Sequence, residues 1–145
     1  MNNTVYFYFI FTLISCKQNN NKIPILTYDV NLGKGHFKQI NFNPNDSLLT
    51  KKGEKLFIKS CVPCHAYNTK HSNGPSWEGI TERFHPVWIL NFMTNTEEML
   101  NFDPYLQKQI KQYKLKMPSF NLDTNDAKAL YSFMYLKDNT LYGKN

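Results

Sequence analysis

One pentapeptide limits what this chain can become: Cys61-Val62-Pro63-Cys64-His65, a C-x-x-C-H string. Two thiols at this spacing can add to the vinyl groups on adjacent edges of a porphyrin, and the next side chain then presents an imidazole to the iron. Two rival uses of the string lack their context. A dithiol redox site needs a preceding strand in a βαβ setting, whereas a basic helical pattern precedes this one. A zinc site needs two more ligands. His71 and His85 are the candidates, but a second C-x-x-C or an H-x-x-x-H half is missing. We therefore expect one covalent haem c, with Cys61 and Cys64 as thioethers and His65 on the iron.

Composition narrows the remaining classes. The chain has 145 residues, the size of one domain, and is 41% hydrophobic, enough for a modest core but low for a polytopic membrane protein. Three cysteines are too few for a disulfide-stapled scaffold. The formal charge is +6, yet Arg83 is the only arginine. Lysines are hydrated point charges, and sequence-reading nucleic-acid surfaces favour arginine forks, so no nucleic-acid partner is expected. No apolar run reaches the roughly 18 residues of a membrane span.

The uncharged run from Val5 to Ile14 has the length of the apolar centre of a secretion signal. It ends in Leu13-Ile14-Ser15-Cys16, which resembles a bacterial lipoprotein cleavage box: a branched apolar residue three before a cysteine, and a small residue just before it. That resemblance implies a signal peptide over residues 1–15, lipid on Cys16, and an envelope protein facing the periplasm. An ordinary signal peptide and a retained apolar strand are the alternatives. Residues 16–22 are polar, lack aliphatic side chains and read as a tether.

Residues 23–45 form an irregular extension broken by Pro24, Gly33, Gly35 and Pro44, read as extended chain and turns with at most a short strand. Asp46 or Ser47 can cap a helix whose face is Leu49, Gly53, Leu56, Phe57 and Ser60. Glycine inside a helix costs up to about 1 kcal/mol against alanine, which points to another helix approaching closely at Gly53. Residues 66–84 read as a loop. Pro86 and Asp103-Pro104 open further helices, the second running to about Tyr113. A last helix starts at Asp123 or Thr124, carries Ala127, Leu130, Tyr131 and Met134 on one stripe, and ends near Lys137. The class is all-α with long loops, in one domain over 46–138 followed by a tail over 139–145.

A second axial ligand decides between electron transfer and ligand chemistry. The candidates are Met93, Met99, Met117, Met134, His36, His71 and His85. Met93 and Met134 read as core, and Met99 ends a short turn. Met117 lies in a loop and precedes Pro118, which stiffens the loop and sets the preceding residue extended. Met117 is the expected ligand. Its plain alternative is a loop methionine capping the core.

These residues together resemble the small monohaem class I cytochromes c, over about Leu48 to Lys137. Gly53, Phe57 and Cys61 at intervals of four match that family's first helix, and Leu130 and Phe133 match the pair it packs against on the last helix. Gly74-Pro75 and Met117-Pro118 match the segments after the haem histidine and around the axial methionine. The resemblance implies helices wrapped around one covalent haem. It also implies that the Pro75 carbonyl orients His65 and that the protein is an electron carrier rather than an enzyme.

The lysines have two readings. Lys51, Lys52, Lys55 and Lys59 lead into the haem motif, and Lys108, Lys111, Lys114 and Lys116 into the methionine loop. They are either a solvated face or a basic ring that steers an acidic redox partner. The rival functions are a haem protein with an openable sixth site, such as a peroxidase or gas sensor, and an assembly lipoprotein in which haem is structural.

Overall fold

The computed structural model describes residues 28–67 and 72–143. Cys16 and His71, and the signal peptide and tether expected over 1–22, lie outside the described residues. Helix α1 (Ser47–Leu56) is capped by the Asp46 carboxylate, which accepts from the backbone N–H groups of Leu48 and Leu49 at 2.8 and 3.2 Å. It passes into a wider π-turn, Phe57–Cys61, closed by a bond from Val62 N–H to the Phe57 carbonyl. Four more α-helices precede the last: α2 (Ile80–Arg83), α3 (Pro86–Thr94), α4 (Thr96–Phe102) and α5 (Pro104–Tyr113). Helix α6 (Thr124–Tyr142) closes the domain. The described residues contain no strand. Class and element order agree with the sequence reading: an all-α fold.

Among the described residues, the first and last helices make the most extensive pairing. At their crossing, a Cβ on Gly53 would lie 2.0 Å from the Ala129 carbonyl oxygen and 2.9 Å from Cβ of Phe133. Only hydrogen fits there, so the helical glycine has the packing reason that its cost demands. One turn on, Phe57 meets Phe133 at 5.2 Å between ring centroids.

Four details differ from the sequence reading. The expected loop over 66–84 ends in a single helical turn, α2, entered from Gly79 at φ 68°. The short turn at Glu97–Leu100 is part of a helix, α4. Helix α6 continues past Lys137 to Tyr142 and stops at Gly143, whose φ of 65° is the usual left-handed exit. So residues 139–142 are helix rather than tail. Its added turn looks too polar to be buried, but Asp138 is fully enclosed and satisfied by donors from another part of the chain.

The fourth difference is residues 28–45, which are built into the domain rather than laid over it. Asn91, 1% exposed on α3, accepts from the Phe37 N–H at 3.0 Å and donates to the Leu32 and Phe37 carbonyls at 3.0 and 3.1 Å. Phe37 is buried beside this clamp. Further along, the Tyr28 hydroxyl donates to the Asp103 carboxylate, which also accepts from Trp88 Nε1 and caps α5 through Leu106 N–H.

Candidate functional site

The π-turn sets out the motif. It leaves Cys61 5% exposed within the core, and both the Cys64 and His65 N–H groups donate to the Cys61 carbonyl, at 3.0 and 2.8 Å. Neither Cys61 nor Cys64 is tied up in a disulfide. Burial, with Cys64 alongside, pushes the Cys61 thiol up to about 11, so it stays protonated near neutrality.

His65 is held from behind. Its Nδ1 lies 2.8 Å from the Pro75 carbonyl oxygen. A carbonyl only accepts, so Nδ1 carries the proton and Nε2 is the ring nitrogen left free for a metal. Burial holds the imidazole below the usual histidine range, against the opposing pull of the Pro75 carbonyl. The neutral ring is the form that binds a metal. Gly74 permits the close approach: a Cβ there would fall 2.9 Å from His65 Cε1. Trp77 braces the ring at 5.8 Å and itself packs on Phe57 at 4.5 Å.

Cys64, His65, Pro75 and Met117 all line one cavity of about 960 Å³, part of it open to solvent. Its walls are overwhelmingly apolar, with Trp88, Phe92 and Leu106 among them. An apolar slot with a thiol and a proton-fixed imidazole on its wall fits a flat, covalently held macrocycle.

The other ligand candidates sort by position. Met99 is fully buried and does not line the cavity, lying instead beneath Gly33. Met93 and Met134 do line it, but from helices and within the buried cluster. Met117 alone reaches it from the loop between α5 and α6. His36 is exposed and shares a hydrogen bond with Thr124. His85 caps α3 by accepting from Val87 N–H at 3.2 Å.

Two further residues escaped sequence reasoning. Arg83, the sole arginine, lines the cavity and donates to the Glu78 and Ser76 carbonyls. Asp138, 0% exposed, accepts four hydrogen bonds, from Tyr67 Oη, Gly79 N, Thr81 N and Thr81 Oγ1, at 2.6–2.9 Å. Burial and this carboxylate raise the Tyr67 hydroxyl well above the usual phenol range. No local pattern marks Asp138, because its partners lie more than fifty positions away.

Residues 50–135 match the family model described as Cytochrome c. The chain belongs to the cytochrome c family. This cytochrome is therefore a haem electron carrier whose haem c is covalently bound at the 61–65 motif. Among solved structures it is similar to a cytochrome c from Rhodothermus marinus, with 27% identity, a TM-score of 0.69, and coverage of 73% of this chain and 91% of that one. An engineered form of that Rhodothermus marinus protein matches at 26% identity and TM-score 0.67, covering 72% and 91%. The engineered form bound to a carbene intermediate matches at 27% and 0.64, with the same coverage. No curated protein matches the chain.

Proposed function

We propose that this cytochrome shuttles single electrons in a bacterial respiratory chain, anchored to the cell envelope by lipid on Cys16 and facing the periplasm. His65 and Met117 would hold its haem iron. The observation that carries the ligand assignment is the 2.8 Å contact between His65 Nδ1 and the Pro75 carbonyl, in a cavity that Met117 also lines.

Haem supplies a one-electron couple when bound. His65 offers Nε2 to the iron, and Pro75 holds the ring in the tautomer that makes this possible. Met117 supplies a thioether, which favours the reduced state relative to a second imidazole. Trp88, Phe92 and Leu106 exclude water, which keeps the dielectric low and the reorganisation small. On the surface, Lys59, Lys114 and Lys116 are exposed at the borders of the motif and the methionine loop. There they would steer an acidic partner protein. The lipid anchor is supported by the Leu13-Ile14-Ser15-Cys16 box alone.

The test is the absorption spectrum of the holoprotein with and without carbon monoxide. A low-spin spectrum with the weak long-red band of iron–sulfur ligation, unchanged by carbon monoxide, supports the carrier. Prompt carbon monoxide binding would instead favour a peroxidase or gas sensor.

A further inference from the structure

Residues 72–81 carry the Pro75 carbonyl that bonds His65. One side chain ties them to Tyr67, which stands earlier in the chain. Oδ1 of Asp138 takes the Tyr67 hydroxyl at 2.6 Å and the Gly79 N–H at 2.7 Å, while Oδ2 takes the Thr81 N–H at 2.9 Å and hydroxyl at 2.7 Å. Tyr67 precedes Pro75 in the chain, and Gly79 and Thr81 follow it. Between these ends, the bonds from Gly74 N–H to the Cys64 carbonyl and from Trp77 N–H to the Ala66 carbonyl bring the segment back beside the motif. Four donors fill the four acceptor positions of a carboxylate. A buried carboxylate is costly unless it is saturated in this way, and an apolar side chain would anchor α6 at less expense. What an apolar side chain cannot do is hold the Tyr67 phenol and the backbone N–H groups of Gly79 and Thr81 in register.

We propose that Asp138 is a positioning residue for the haem ligand. By clamping the segment on both sides of Pro75, it keeps the Pro75 carbonyl on His65 Nδ1 and so sets the electron-donating strength of the imidazole. This rests on the reading of His65 as an iron ligand. An imidazole that donates a firm Nδ1 hydrogen bond is a more basic ligand and favours ferric iron. Loosening the clamp weakens that bond and raises the reduction potential.

Three variants of the holoprotein test it. Asp138→Asn turns one acceptor oxygen into an NH₂ that faces two of the four donors. Tyr67→Phe and Thr81→Val each remove one donor and leave the carboxylate in place, which separates positioning from loss of charge. The potential should rise in all three, most in Asp138→Asn. Exchange of the His65 Nδ1 proton, followed by NMR in the reduced protein, should quicken by about tenfold or more in Asp138→Asn. Leu136→Ala, on the same helix but exposed, should leave both unchanged. If Asp138→Asn fails to mature, the two single-donor variants decide. Variants that lose thermal stability but keep the parent potential and exchange rate would reduce Asp138 to a structural anchor and overturn the proposal. A parent protein whose His65 ring shows no sign of iron ligation would instead refute the ligand reading beneath it.

Discussion

Gly53 on α1 presses against the carbonyl of Ala129 on α6 so closely that a Cβ would sit 2.0 Å from the oxygen. Neither backbone can yield without moving a whole helix. Gly53→Ala should therefore destabilise the protein by about 3 kcal/mol, the upper range for overpacking. That corresponds to a fall in Tm on the order of 10 °C or more. Calorimetry at matched haem content checks this, and an unchanged Tm would show that the helices have slack.

Asn91→Ala should open the clamp on residues 32–37. One N–H and two carbonyls lose their partner in a buried setting, at a cost of about 2–4 kcal/mol. Limited proteolysis should then cut within 28–45 before any other part of the domain. Cleavage no faster than in the parent would mean that Phe37 packing alone holds this segment.

Met117→Ala should abolish the long-red sulfur band and let carbon monoxide bind promptly. Covalent attachment at Cys61 and Cys64 should persist. Survival of the band would transfer the ligand role to Met93 or Met134, the other methionines on the cavity wall.

Alkaline pH should weaken the fold through Tyr131. Burial pushes its phenol from 10.0 up to about 12. Below pH 10 the group is neutral in both folded and unfolded chains and contributes no pH dependence. Between pH 10 and 12 the unfolded chain ionises first and binds fewer protons, so stability falls, by about 2 kcal/mol at pH 12. Tyr131→Phe should flatten that decline in urea titrations run at successive pH values. An equally steep decline in the variant would assign it to other groups.

Cys16→Ser should release the mature protein from membranes into the soluble fraction and end incorporation of labelled palmitate. Continued membrane association would point to a retained apolar segment instead.

What the sequence disclosed depended on the range of the interaction. Caps are local, so Asp46, Asp103 and Asp123 marked three helix starts correctly. The penalty on Gly53 pointed to a helix crossing because its cost is intrinsic and needs a reason. Motif chemistry singled out His65, a loop position before Pro118 singled out Met117, and the family likeness added Pro75. The features that escaped are those in which a polar group is satisfied from far away. Asn91 carries no local sign of its role within an apolar helix, because its partners are Leu32 and Phe37. Asp138 looked like the frayed end of α6 until Tyr67, Gly79 and Thr81 enclosed it. The π-turn at Phe57–Cys61 was hidden for another reason: the spacing of apolar residues hardly distinguishes a four-residue turn from a five-residue one over so short a stretch.

The bond from Tyr28 to Asp103 has a geometric consequence for a carrier bound to lipid at Cys16. Only twelve positions separate the bilayer end from the point where the chain is pinned to the haem-bearing body. Fully stretched, they span about 40 Å. If lipid holds Cys16, that leash would confine the haem to a shallow zone above its own membrane, and its donor and acceptor would both have to present their redox centres within that radius.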